Sequence, residues 1–324
     1  MSRKFGFVAI CGAPNAGKST LLNALIGTKV AAVSDKPQTT RFNILGVTES
    51  GESQIAFVDT PGLFALQCKE SVRLSLKKSA YKAIGGADVI LTVVDISSKS
   101  LREGDRAVDL LLAKYGETGA KFVLAFNKID RVAPSDVAQK AASFQKYDKI
   151  ESFFMISAQK MANIDILKNE LVRLLPAQEW MYPGSKFSMA PESGLADGGE
   201  DGEGSSMQFP PINKETERWA SELTMEQIFR HFDKEIPYRV YIEPLHTENR
   251  NDGLHIYQNI IVSKESYKPI IIGTNGKMIH LIRTKAKVNI EGGLKRRVHL
   301  HLFVKVVKDW EKKDTSLKEA GFLQ

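Results

Sequence analysis

A doubly wound, mainly parallel α/β sheet followed by a smaller α+β domain is the architecture that these 324 residues predict. Three observations carry it. Through the first half, apolar runs of strand length alternate with amphipathic stretches of helical period, the pattern of a parallel sheet covered by helices on both faces. A complete glycine-rich loop of the phosphate-binding type sits between the first apolar run and the first helical stretch. The last third gathers positive charge around a Gly-x-x-Gly turn set among two helical and three strand patterns.

Residues 5–11 form the first strand and run at once into Gly12, Ala13, Pro14, Asn15, Ala16, Gly17, Lys18, Ser19 and Thr20. Glycines here let successive N–H groups point at a polyphosphate, Lys18 adds charge at the outer phosphates, and the Ser19 hydroxyl suits Mg²⁺. Leu21, Leu22, Leu25 and Ile26 recur at helical spacing, so the loop ends on a helix N-terminus, whose dipole favours anions. The strand at 54–58 leads into Asp59-Thr60-Pro61-Gly62. Residues 70–84 and 102–114 read as amphipathic helices on either side of a buried strand at 89–95. The strand at 121–127 ends in Asn127-Lys128-Ile129-Asp130, and a carboxylate at Asp130 can accept from both N1–H and the exocyclic amine of guanine. Adenine offers no such pair on that edge, so Asp130 argues for GTP over ATP. Residues 153–156 lead into Ser157-Ala158, and a helix at 163–175 stops before Pro176, which cannot continue it. Each of the four motifs follows a strand, where an open parallel sheet binds its ligand.

Between residues 183 and 211 the composition changes to glycine, serine and acids such as Glu192, Asp197, Glu200, Asp201 and Glu203, with few large apolar side chains. Such a stretch is expected to be a flexible insert, either a plain solvated linker or an acidic segment competing with nucleic acid for a basic surface. Residues 238–313 then carry 15 Lys and Arg against 7 Asp and Glu, which places the chain's net charge of +7 in this part. The partner expected there is anionic, nucleic acid or membrane lipid. Residues 264–272 read as a short helix, Gly273-Thr274-Asn275-Gly276 as a turn and the stretch from Lys277 through Ala286 as a second helix, with strands at 238–244, 255–262 and 297–307. Glycines in such a turn let a nucleic-acid backbone approach closely. No basic residue stands between them, so backbone contact falls to Lys277, Arg283, Lys285 and Lys287, each of which also reads as an ordinary solvated helix position. His299 and His301 alternate with Val298, Leu300 and Leu302 and read as the polar face of the last strand, since the sequence shows no third zinc ligand beside them.

With these motifs in this order the chain resembles the TRAFAC-type GTPases and, within them, the Era family, over nearly its whole length. The resemblance implies a P-loop GTPase domain at residues 1–178, a linker with the acidic insert at 179–211 and a KH domain of type II at 212–324. It implies that Gly12 through Thr20 hold the phosphates, that Asp59, Thr60, Pro61, Gly62 and Leu63 form the second switch, and that Asn127, Lys128, Ile129, Asp130, Ser157 and Ala158 hold the guanine. Asn127 and Asp130 would read the base, Lys128 pack along it and Ala158 offer its N–H to O6. Pro37-Gln38-Thr39-Thr40-Arg41 looks like the first switch, with Thr40 preferred over Thr39 as the Mg²⁺ ligand beside Ser19 and with Asp59 orienting the metal. Catalysis would rest on Lys18, Thr40, Gly62 and Asn15. Leu63 and Phe64 stand where related enzymes carry a water-positioning glutamine, so Asn15 is expected either to help bind K⁺ or to serve as a turn residue. The resemblance further implies the 3′ end of small-subunit ribosomal RNA as partner and small-subunit assembly as role. The runner-up is a GTPase peripheral to an anionic membrane.

Two cysteines, Cys11 and Cys68, make no disulfide framework, and no apolar run reaches membrane-spanning length. A monomeric cytoplasmic protein is the expectation, at the inner membrane surface in the runner-up reading, or in an organelle matrix had a leader been removed.

Overall fold

The computed structural model describes residues 3–33, 44–60, 81–182, 214–233, 235–308 and 310. Outside them lie Thr39, Thr40, Pro61, Gly62, Leu63, Phe64, Cys68, most of the helix expected at 70–84, whose last turn at 81–85 is helical, and the acidic insert.

The first sheet has the order β2-β3-β1-β4-β5-β6, built from β1 (Lys4–Gly12), β2 (Ile44–Ser50), β3 (Ser53–Asp59), β4 (Val89–Asp95), β5 (Lys121–Asn127) and β6 (Ile150–Met155). All pairings are parallel except the β2–β3 edge hairpin. Successive residues of β1 are buried on opposite faces, which is why its sequence reads as an unbroken apolar run. Val8 and Ile10 pack under α1 (Lys18–Ile26) and α4 (Ile164–Leu174) through Leu21, Leu25, Leu167 and Leu171. Ala9 and Cys11 pack under α2 (Arg102–Tyr115) and α3 (Pro134–Ala142) through Val108, Leu111 and Ala141. Strand β2 and helix α3 were not expected. The first mixes Gly46, Thr48, Glu49 and Ser50 into a short edge strand, and the second shows mainly a proline in its first turn.

Beyond the boundary expected at residue 178, the chain keeps hydrogen bonds to the first domain. Gln178 Nε2 donates to Phe5 O at 2.9 Å, Trp180 Nε1 donates to Glu52 O at 3.2 Å, and the Tyr182 N–H donates to Gln54 at 3.1 Å. Trp180 and Tyr182 also pack against a small cluster of Phe5, Val47 and Ala56.

The second domain runs α5 (Lys214–His231), β7 (Val240–Arg250), β8 (Gly253–Val262), α6 (Tyr267–Ile272), α7 (Lys277–Leu294) and β9 (Val298–Val306). Its sheet, β7-β8-β9, is antiparallel then parallel, with the helices packed on one face. Strand β7 continues past Pro244, where the expected strand stopped, because the register shifts between Pro244 and His246 and a bulge on an edge strand tolerates proline.

Helix α5 was not expected because it shows no single apolar stripe. It is buried on several sides, and its polar residues have specific partners. Thr224 Oγ1 donates to Gln258 Oε1 at 2.7 Å, and Trp219 Nε1 donates to Val30 O in the first domain at 2.9 Å. Fully buried Glu226 is held by Lys29 at 2.8 Å and Arg230 at 2.7 Å, while Arg230 also donates to Val33 O at 2.9 Å. The segment leading into the expected first switch is thereby clamped to the second domain.

Candidate functional site

The ends of β1 and β3 lie side by side, with Ile10 opposite Asp59, so the phosphate loop and Asp59 meet by register alone. Asp59 is fully buried and accepts from Ser19 Oγ at 2.6 Å. A serine hydroxyl against a buried carboxylate at a helix N-terminus is a donor set that fits Mg²⁺, a hard cation that takes oxygen ligands. Lys18 is also buried, its Nζ donating to Ala13 O at 2.9 Å. Burial pushes its pKa down, and the charge on Asp59 opposes that shift. Cys11, the next-to-last residue of β1, has its thiol pushed up to about 12 by burial, which makes it an inert packing group. Gly17 has φ +93°, and a Cβ there would lie 2.3 Å from Asn127 Nδ2, so only glycine allows the loop this close to the base loop.

At the base loop, Asn127 is only 2% exposed and its side chain struts the two loops together. Its Nδ2 donates to Ala16 O at 2.9 Å, while its Oδ1 accepts from Lys128 N at 2.8 Å and from Ala158 N at 3.0 Å. The Ala158 N–H, expected to be offered to O6, is thus donated to Asn127. Lys128, in the left-handed region at φ 68°, reaches back to Asn15 O at 2.7 Å and pairs with Asp95 at 2.6 Å. It therefore spans phosphate loop and base loop. Ser157 Oγ donates to Asp130 Oδ1 and accepts from Lys160 N at 3.1 Å, so Ser157 orients the carboxylate that would meet guanine. Ile129 and Thr60 do not line this arrangement through their side chains: Ile129 packs against an apolar cluster, and Thr60 Oγ1 donates to Ile10 O at 2.9 Å. Asn15 stands at φ 60°, the conformation that the turn-residue reading requires. Asp95 was missed by sequence reasoning. The signal was present, since it ends an apolar strand as Asp59 and Asn127 do.

In the second domain the turn joins α6 to α7. A Cβ on Gly273 would lie 2.6 Å from Met278 Cβ, so packing demands glycine there. Gly276 differs: its φ is +74°, and nothing lies within 4 Å of where a Cβ would be, so its backbone faces open space. Thr274, Asn275 and Lys277 beside it are exposed. Of the expected basic contacts, Lys277 stands at the turn, whereas Arg283 and Lys285 are exposed roughly 9 and 12 Å further along the helix. Lys287 is half-buried, lies 3.6 Å from Glu291 and is further still from the glycines. Among the described residues no helix is long and apolar enough to cross a membrane.

Comparison with known proteins finds relatives of both domains. A family described as 50S ribosome-binding GTPase matches residues 7–128, and the KH domain family matches residues 235–311. GTPase Era of Brucella suis is 35% identical over 320 residues, covering 98% of this chain and 92% of that one. GTPase Era of Mesorhizobium japonicum is 33% identical over 317 residues, covering 98% and 93%. The chloroplastic ERA-like GTPase of Oryza sativa is 32% identical, and the match covers 99% of this chain and 70% of that protein. Among solved structures, Aquifex aeolicus Era bound to GDP and aluminium fluoride superposes with a TM-score of 0.83 at 30% identity, covering 99% of this chain and all of that one. Era in complex with MgGDPNP and nucleotides 1506–1542 of 16S ribosomal RNA gives the same TM-score, identity and coverage. With the phosphate loop, the Asp130 carboxylate and the glycine turn set on a P-loop domain and a KH domain in that order, the chain is a GTP-hydrolysing enzyme of the Era family.

Proposed function

We propose that this chain couples its nucleotide state to single-stranded ribosomal RNA of the small subunit and acts, as a cytoplasmic monomer, in assembly of that subunit. The observation that carries the reading is the pairing of the two sites through α5: the segment leading to the first switch is held by Trp219, Glu226 and Arg230 of the domain that bears the open glycine turn. A similar protein holds MgGDPNP and a 16S ribosomal RNA fragment together, which supports the same ligands here.

In this reading Ser19 and Thr40 supply hydroxyl oxygens to Mg²⁺, and Asp59 orients its shell. Bound Mg²⁺ neutralises charge on the phosphate oxygens. Lys18 adds a second positive charge there, and the Gly62 N–H senses the γ-phosphate, so the second switch relaxes once that group leaves. With Leu63 in place of a polar water-positioning group, Asn15 helps hold K⁺ against the phosphates. Hydrolysis should then run faster in K⁺ than in Na⁺ at equal ionic strength, with the difference lost in Asn15→Ala. Equal rates in both salts would remove K⁺ from the reading.

The central test is the affinity of the full chain for single-stranded RNA carrying a small-subunit 3′ end, measured with a non-hydrolysable GTP analogue and with GDP. Gly276→Asp should weaken binding without changing hydrolysis measured in the absence of RNA. Identical affinities in both nucleotide states would leave two independent modules. Anionic vesicles that displace the RNA in the same assay would favour the membrane reading.

A further inference from the structure

Outside both sites, the described residues contain one cluster of metal-ligating side chains: Asp252, His255 and His299, whose ligand atoms all lie within 4.8 Å of one another. It stands on the helix-free face of the second sheet. Leu254 and Ile256 on β8 and Val298 and Leu300 on β9 pack under the helices, so the residues between them, His255, Tyr257, His299 and His301, share the opposite face. Register sets His255 beside His299 and Tyr257 beside His301, and Asp252 belongs to the turn between β7 and β8. The sequence shows only a His-x-His pair. The donors that complete the set come from a neighbouring strand and its hairpin turn.

The atoms converge as ligands do. His255 Nε2 lies 3.0 Å from Asp252 Oδ1, and His299 Nε2 lies 3.4 Å from Asp252 Oδ2. Around a tetrahedral ion with bonds of about 2.0–2.2 Å, neighbouring ligand atoms stand roughly 3.3–3.5 Å apart. The two imidazole planes differ by 19°, with centroids 4.5 Å apart, so His255 stays held while the more exposed His299 turns about its soft Cβ–Cγ bond to bring its lone pair to the same point. The other nitrogen of His255, Nδ1, is 3.0 Å from His301 Nε2. Facing the Asp252 carboxylate, Nε2 carries the proton while no metal is bound; a metal would displace that proton and leave Nδ1 to donate to His301, the arrangement found around metal-bound histidines. His255 is 7% exposed and Asp252 54%, so the cluster is anchored at one end and open to solvent at the other.

We propose that Asp252, His255 and His299 form a binding site for a divalent transition-metal ion of the Zn²⁺ class, with His301 as a positioning residue and water completing the coordination. Two imidazoles and one carboxylate suit such a borderline ion, whereas the Mg²⁺ of the nucleotide site prefers oxygen. The second domain would thus carry a cation site chemically distinct from those at the nucleotide loop of the first. Bound metal ties the β7–β8 turn to β9 and raises the stability of this domain with free metal concentration.

The test uses the tag-free full chain saturated with Mg²⁺ and GDP, titrated with Co²⁺ by visible absorption and with Zn²⁺ against a chromogenic chelator. One ion per chain should bind at micromolar free Zn²⁺, excess Mg²⁺ should not displace it, and Co²⁺ should give a four-coordinate spectrum. Asp252→Asn and His299→Gln should each lower Zn²⁺ affinity at least tenfold. Both sites of change are solvent-accessible, and unaltered GDP affinity in the other domain serves as the check on folding. His301→Phe should keep the stoichiometry but lower affinity roughly 10–100-fold and shift the Co²⁺ spectrum. Parent-like affinity in Asp252→Asn and His299→Gln, or no uptake at micromolar Zn²⁺, overturns the site. An unchanged His301→Phe overturns the positioning role.

Discussion

Replacing Asn127 by alanine separates a strut from a base reader. The side chain makes three hydrogen bonds of 2.8–3.0 Å, and it is 2% exposed. Truncation leaves two deeply buried groups without this partner, the Ala16 carbonyl and the Ala158 N–H, in residues 1% and 4% exposed, whereas the Lys128 N–H is near enough to solvent to find water. Each stranded buried group costs about 1–3 kcal/mol, so Asn127→Ala should lower unfolding free energy by roughly 2–6 kcal/mol, toward the low end if the loops relax. Urea unfolding of the nucleotide-free chain measures that loss directly. Because the bonds join phosphate loop to base loop and not protein to base, affinities for GDP and xanthosine diphosphate should fall by the same factor, at least tenfold, or about 1.4 kcal/mol. Titration of fluorescent analogues of both nucleotides reads this out. A loss confined to GDP, or a variant as stable as the parent, would refute the strut.

Asp130→Asn should do the opposite at the same loop, weakening GTP roughly tenfold or more while strengthening xanthosine triphosphate, since an amide donor replaces the acceptor that guanine needs. Competition binding decides it, and unchanged GTP affinity would remove Asp130 from base recognition. Lys29→Met should lower stability by less than the roughly 3–5 kcal/mol of a broken buried pair, because Arg230 stays on Glu226 and Lys29 is partly exposed. A double-mutant cycle with Glu226→Gln should show coupling above about 0.5 kcal/mol, and strict additivity would mean that the interdomain contact carries nothing. Arg173 holds the Glu170 carboxyl down at about 2 from an ordinary 4.5, assisted by Ser152. A depressed carboxylate stabilises the fold above the ordinary value and loses that effect as pH falls toward the lowered one. The melting-temperature gap between parent and Glu170→Gln should therefore be constant above pH about 5 and shrink between about 4.5 and 2. A gap independent of pH would contradict the pairing.

The chemistry of the nucleotide site was legible because it is written locally. A glycine-rich loop, a carboxylate after an apolar strand and a guanine-type motif each need neighbours in sequence only. Parallel register then brings strand ends together without further instruction, as Ile10 opposite Asp59 illustrates. The same locality exposed Gly273 through Gly276, whose backbone demands are met within one turn. Strand β2, helix α3 and above all α5 were not legible, for a related reason. Helix α5 buries Glu222, Glu226, Thr224 and Gln227 beside Trp219 and Phe229, so no polar face contrasts with an apolar one, and its partners are Lys29, Val30, Val33 and Gln258 from distant parts of the chain.

Sequence by itself determined the two domains, the nucleotide class and the turn that invites a nucleic-acid backbone, since each rests on residue types at short, fixed spacing. Tertiary structure alone decided three other matters. It made Asn127 a strut, because only packing brings Ala16 and Ala158 to its two ends. It joined the domains through α5, because burying charge there requires Lys29 from the far side of the interface. It set Asp252 and His255 against His299, because strand pairing joins residues more than forty positions apart, and a pleated sheet's period of two says which face a side chain takes but not which strand lies beside it.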